Sequence, residues 1–135
     1  MDTGFTVGHR YTTRQITFDN HWNYLPGSKT TIDSIYNFLN KNKTLTVELG
    51  VHVDKADSKS SEPITQKRAQ AIVDTLMKMG IDKNRLSPKG YGAMQRIFTE
   101  ANVKPAVKSK EEARMIYDLN NRVELRITSA NFDQE

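Results

Sequence analysis

The stretch Val47-Glu48-Leu49-Gly50-Val51-His52-Val53-Asp54 alternates apolar and polar residues until it reaches a carboxylate, the period of a half-buried strand. Ile64-Thr65-Gln66-Lys67-Arg68-Ala69-Gln70-Ala71-Ile72-Val73, which follows, has the pattern of a capped amphipathic helix. Asp54 and Arg68, fourteen residues apart, thus end a strand and open a helix. That order brings both to one edge of a small sheet, in the crevice where open α/β sheets commonly bind ligands. The first turn of the helix, where Arg68 is expected, presents unpaired amides and a positive dipole end. A ligand carboxylate there could take bidentate hydrogen bonds from the guanidinium while Asp54 accepts from a neighbouring ammonium. The residues alone leave a second reading open: a plain Asp54 to Arg68 surface ion pair, worth about 0–1 kcal/mol.

Outward from this pair, period two puts Leu45, Val47, Leu49, Val51 and Val53 on the packed face of a strand over 44–53. A first strand is expected over 14–19. A helix then runs from Ser28 to Lys41, with Ser28 accepting from free amides and Ile32, Ile35, Tyr36 and Leu39 on its buried face. Thr65 is the expected N-cap of the second helix and Gly80 its left-handed end, with Ala69, Ile72, Val73, Leu76 and Met79 inward. A short strand over 85–91 leads into a long connection from Gly92 to about Lys108. Ser109-Lys110-Glu111-Glu112 has the form of a capping box, so a helix over 110–119 follows. The chain closes on a strand over 122–128, with Val123, Leu125 and Ile127 inward.

This order predicts an α+β fold, a two-layer α/β sandwich of the form β-α-β-α-β-(α)-β. Strands joined through helices run parallel and right-handed while the last strand closes an edge, so the sheet is expected to be mixed. Residues 1–13, polar with two glycines, read as a linker or an extra N-terminal strand; 14–135 form the domain.

At 135 residues the chain is long enough to bury a core without disulfides or metal. It has no cysteine, which suits an oxidising compartment and many reducing ones alike. The formal charge of +4 and pI near 9.3 would suit an anionic partner, but acidic and basic residues are interspersed throughout, as on a solvated mixed surface. No segment approaches the roughly eighteen apolar residues of a spanning helix. The start Met1-Asp2-Thr3-Gly4-Phe5 lacks the features of a secretory signal.

Six segments, in order, resemble the motifs of the OmpA-like peptidoglycan-binding domain, over roughly residues 14 to 128. They are Ile16-Thr17-Phe18-Asp19, Leu25-Pro26, and His52-Val53-Asp54 for the family's Gly-His-Thr-Asp. Ile64-Thr65-Gln66-Lys67-Arg68-Ala69 stands for Leu-Ser-x-x-Arg-Ala, Gly90-Tyr91-Gly92 for Gly-Tyr-Gly, and Asn120-Asn121-Arg122-Val123-Glu124 for Asn-Arg-Arg-Val-Glu. The resemblance implies non-covalent binding of the diaminopimelate of the peptidoglycan stem peptide, with Asp54 on its amine and Arg68 on its carboxylate. It implies no reaction and no cofactor. The domain would sit in the periplasm as part of an outer-membrane-associated protein, with membrane contact only through segments outside this chain. Met1 would then begin a fragment of an exported protein.

The pattern is not followed throughout. The loop between Asp54 and Arg68 is about one residue shorter than the family's, Ser61 stands where an Asn is usual, and Pro63 precedes the helix. At the last motif Asn121 replaces the first arginine. Arg122 survives on the polar face, opposite Val123, Leu125 and Ile127, and is a further pocket candidate. Thr65, His52 and Asn20 complete the candidate set, Asn20 and His21 as a pocket rim or a simple turn.

Other chemistries find less support in the residues. His52 and Asp54, two apart on a strand, should point the same way with Asp57 near, but a tight metal site needs three or four ligands and a supporting second shell, so none is assigned. His52 is expected to orient the loop or face solvent. Gly90-Tyr91-Gly92 lacks the spacing and the Lys-Ser/Thr of a nucleotide loop and reads as a tight strand exit with Tyr91 packed on the sheet. Trp22 and Tyr24 precede a helix rather than alternating along a strand as a nucleic-acid platform would, so no nucleic acid is expected. No nucleophile has a histidine and acid placed to activate it, so no enzyme is expected. The competing functional class is an interaction module for another envelope protein, using the altered 55–63 loop and the 93–108 connection.

Overall fold

The computed structural model describes residues 4–54 and 62–132. Four strands form a mixed sheet in the order β1-β4-β2-β3: β1 (Arg10–Thr13), β2 (Thr46–His52), β3 (Leu86–Gly92) and β4 (Arg122–Ser129). β2 and β3 are parallel, while β4 runs antiparallel to both β1 and β2. The helices are α1 (Lys29–Lys41), α2 (Glu62–Lys78), the short α3 (Glu100–Val103) and α4 (Lys110–Tyr117). The α+β architecture and mixed sheet expected from the element order are present.

Several local expectations are corrected. The first strand lies at 10–13, not 14–19. Residues 17–25 fold back on themselves instead, with Leu25 N–H donating to the Thr17 carbonyl, Asp19 N–H to the Asn23 carbonyl, and a bridge between Phe18 and Tyr24. The apolar-polar alternation of 16–19 therefore serves a local turn-back, not the main sheet. β4 does not close an edge: it lies between β1 and β2, because the N-terminal strand, absent from the motif count, takes the outer position. The long connection also contains α3, whose four residues are too few for a periodic signal.

The inward set of β2 and β4 meets α1 and α2 in one core, with Ile32, Leu39, Leu49, Ile72, Leu76 and Ile127 fully buried. Gly90 lets α2 lie against β3: a Cβ there would stand 2.1 Å from the Gln66 amide nitrogen. Gln66 completes that seam, accepting from Gly90 N–H at 2.7 Å and donating to the Pro88 carbonyl at 3.0 Å. Gly80, at φ 114°, ends the turn after α2 as expected. Ser28 does not cap α1. A 3₁₀ turn begins at Pro26, Ser28 is already helical, and its hydroxyl instead exchanges two hydrogen bonds with the Thr17 backbone.

The opposite face of the sheet carries a charged ladder. Arg126 pairs with Glu48 at 3.0 Å, Arg122 with Glu124 at 2.9 Å, and Arg10 with Glu124 at 3.2 Å. Tyr91 lies across Gly50, donates to Glu48, and stacks on His52 with centroids 4.5 Å apart.

Candidate functional site

Two clefts lie near the C-terminal end of β2. The first, about 490 Å³, is walled by the 14–20 segment, by His52 and Val53, by Arg68 and by the 118–123 region. The second, about 680 Å³, has Asp54 and Glu100 on one side and Lys104, Lys108, Lys110, Arg114 and Tyr117 around it.

Arg68 is 5% exposed and projects from α2 toward the turn at 19–23. Its Nε donates to the His21 carbonyl at 2.8 Å and Nη2 to the Asp19 carbonyl at 3.2 Å, while the guanidinium lies 5.0 Å from the Phe18 ring. The turn is built to present those carbonyls. Asp19 Oδ1 accepts from the amides of His21 and Asn23, an Asx-type arrangement, and Oδ2 accepts from the Asn23 side chain. These bonds, the His21 amide first, hold the exposed Asp19 carboxyl below its usual range. Tyr24 to Thr75 at 2.8 Å and Lys67 over Trp22 at 4.3 Å fasten the same turn to α2.

Two expectations about this helix change. α2 opens at Glu62 rather than at Thr65, with Pro63 in its first turn, where a missing N–H costs nothing. Arg68 is therefore the seventh helical residue, beyond the terminal amides and the reach of the dipole's first turn. Thr65 is not an N-cap. Fully buried, it donates to the Glu62 carbonyl and accepts from Gly92 N–H at 3.0 Å, fixing α2 to the exit of β3, where Gly92 turns at φ 56°.

Asp54 is 3% exposed, and the contacts described for its carboxylate are with Arg96 and Asn120. Its Oδ1 accepts from Arg96 Nε at 3.0 Å and from Asn120 Nδ2 at 2.9 Å, and its backbone N–H donates to Asn121 Oδ1 at 2.9 Å. Arg96 is in turn held by both oxygens of Glu100, at 3.1 and 2.9 Å, and lies over Tyr117. Those hydrogen bonds, Glu100's first and Asp54's after it, raise the Arg96 pKa further. Asn120 is completely buried and spends both functional groups: it accepts from the amides of Ile97 and Phe98 and donates to Asp54 and the Phe98 carbonyl. The ion pair described for Asp54 is thus with Arg96, not Arg68.

β2 ends at His52, and the contacts described for His52 and Asp54 are with different residues: His52 stacks on Tyr91, Asp54 meets Arg96 and Asn120. His52 does not face solvent, and the loop it was expected to orient lies outside the described residues. The imidazole is buried under Tyr91 on the charged face, with Nε2 3.3 Å from Glu124 and no hydrogen bond at either nitrogen among the described residues. Burial, then the Arg122 charge, push its pKa down to about 4, so the ring is neutral at pH 7. Burial opposes ionisation of Glu124 as well, but the Arg122 hydrogen bond and charge outweigh it and its pKa is lowered.

Arg122 lines the first cleft, and each of its three guanidinium nitrogens already donates, to Glu124, to the Asn120 carbonyl and to the Gln95 carbonyl. Asn20 is exposed on the rim of the same cleft. Arg68, His52, Arg122 and Asn20 therefore share one cleft, Asp54 borders the other, and Thr65 lines neither. Asp57 and Ser61 lie outside the described residues. Arg96 and the central role of Asn120 were not anticipated. The i, i+4 spacing of Arg96 and Glu100 was a usable signal.

The model of the OmpA family matches residues 19–111, well over half of the chain, and the chain belongs to that family. Solved structures show the same fold. The periplasmic domain of Helicobacter pylori MotB superposes with a TM-score of 0.69 at 17% identity, over 91% of this chain and 83% of that one. For the peptidoglycan-associated lipoprotein from Burkholderia pseudomallei the values are 0.62, 13%, 83% and 87%. An outer membrane protein from Borrelia burgdorferi B31 gives 0.62 at 23%, covering 93% of each chain. A search of curated protein sequences finds no match. No helix among the described residues is long and apolar enough to cross a membrane.

Proposed function

We propose that this domain binds peptidoglycan without altering it, taking the diaminopimelate end of a stem peptide, and so ties a larger outer-membrane or periplasmic protein to the cell wall in the periplasm. The observation that carries this reading is Arg68: a buried guanidinium, in the family's motif, aimed by two backbone carbonyls at the wall of a cleft of about 490 Å³. A planar guanidinium held in this way is prepared for a ligand carboxylate. Asp54, two residues beyond the end of β2, is assigned the adjoining ammonium. The free end of diaminopimelate bears both groups on one carbon. Asn20 and Arg122 would then bound the cleft, and His52 and Thr65 would support its walls.

A second reading, an interaction module for another envelope protein, draws on the long connection, where Met94 and Ile97 are 65% and 47% exposed. Calorimetry separates the two. A stem peptide whose diaminopimelate is replaced by lysine keeps the side-chain amine but lacks the adjoining carboxylate, so it should bind about tenfold or more weakly than the diaminopimelate form, about 1.4 kcal/mol per tenfold. Equal affinities would remove the amino-acid-centre reading.

A further inference from the structure

Asp54 is the residue to which the function above assigns a ligand's ammonium, yet its carboxylate already holds a cation from its own chain. Arg96 Nε sits 3.0 Å from Oδ1, and Arg96 is itself fixed by two hydrogen bonds to Glu100 and by the face of Tyr117 at 5.5 Å. Both members of the pair are largely removed from water, with side chains 11% and 5% exposed. Asn120 shares the same carboxylate oxygen and ties the 97–98 backbone beside it. The contacts described for Asp54 thus draw its carboxylate toward the α3–α4 side, while Arg68 lines the other cleft.

We propose that Arg96 is the specificity-determining residue of this site, an internal competitor that occupies Asp54 in place of a ligand ammonium. The proposal rests on the peptidoglycan reading and specifies how that site is tuned. A tethered cation competes at high effective concentration, and the Glu100 clamp removes most of the entropy cost of keeping it in place. If Arg96 occupies Asp54 in about nine molecules of ten, the apparent affinity for an ammonium-bearing ligand is lowered about tenfold. A ligand read through its carboxylate at Arg68 alone escapes that penalty. The wild-type domain therefore favours the carboxylate over the ammonium, and the position of residue 96 sets the balance.

The test uses calorimetry on the whole chain with two probes: a stem tetrapeptide with a free diaminopimelate end, and the same peptide acetylated on that terminal amine. Wild type should separate them by less than about threefold. Arg96→Ala should gain about tenfold on the free-amine peptide and nothing on the acetylated one, and Arg96→Lys, which keeps a cation, should stay near wild type. Should Arg96→Ala melt far below wild type, Arg96→Gln, which keeps the bulk and a donor but loses the charge, carries the same expectation. Loss of affinity for both peptides in Arg96→Ala would make Arg96 a support of the site and overturn the proposal. So would an unchanged ratio in either neutral variant. No binding of either peptide by wild type or by any variant would overturn the peptidoglycan reading itself, and the proposal with it.

Discussion

The two sides of the β2 terminus hold their charged residues by different means. On one side Arg68 is oriented by carbonyl oxygens of the 19–21 turn and by an aromatic ring. On the other, Asp54 is held by a guanidinium and a buried amide. A carbonyl positions a cation by its dipole, whereas a full opposite charge positions an anion and also compensates it. The same sheet edge thus carries one residue whose described partners fix its aim and another whose partner is a rival for any incoming cation.

The largest expected effect breaks the Arg68 side alone. Gly90→Ala drives a methyl into the α2 backbone at Gln66 and Thr65, where no rotamer change can make room. Chemical denaturation should show a loss of about 3 kcal/mol or more, and wall binding should fall with it as α2, and Arg68, shift from β3.

Asn120→Ala strikes the Asp54 side. It removes the acceptor of two amides, the donor to one carbonyl and one of the two donors described at Asp54 Oδ1, so a loss on the order of 2–3 kcal/mol is expected in the same assay. Amide exchange should rise in 95–100 while the 17–25 turn stays protected. Equal loosening of both segments would show that the two sides are one unit.

The smallest effect lies under the junction. His52 is neutral in the fold, its pKa pushed down to about 4 from an ordinary 6.5. The unfolded chain therefore binds the proton more readily, so this group's contribution is complete above about pH 6.5 and is lost as pH falls toward about 4. At about 1.4 kcal/mol for each pH unit across that window the total is at most about 3 kcal/mol. Urea unfolding at pH 7 and pH 4.5 should show the loss in wild type, and His52→Phe should remove that part of it.

Much of this arrangement could be read from residues in sequence order. Val47, Leu49 and Val51 alternate because one face of β2 meets helices, and Ile72 and Leu76 recur because α2 covers that face. Ser109 caps α4 as its spacing with Glu112 indicates, its Oγ accepting from Glu112 N–H, but the Glu112 carboxylate accepts from Lys108 N–H, one residue before the cap, so the box is completed off register. What was not legible depends on distance along the chain. Arg96 meets Asp54 from 42 residues away, and Asn120 from 66. No periodicity encodes such pairings, and the 93–98 segment, inside the long connection, reads as plain loop. The turn at 17–25 was missed for the opposite reason: its local alternation is real but is spent on Tyr24 rather than on the sheet. Thr65 has the chemistry of a cap and was placed as one, whereas its hydroxyl serves Gly92 of a neighbouring strand.

The central claim is that the Arg68 cleft carries wall binding, and co-sedimentation with purified sacculi tests it most directly. Arg68→Lys keeps the charge and the buried stem but loses the planar fork, and Arg68→Ala loses both. Wild type should pellet with sacculi, Arg68→Lys should weaken, and Arg68→Ala should lose about 2–5 kcal/mol of binding, enough to leave it in the supernatant. Circular dichroism on the same samples establishes that each variant is folded. A folded Arg68→Ala protein that pellets as well as wild type would contradict the account.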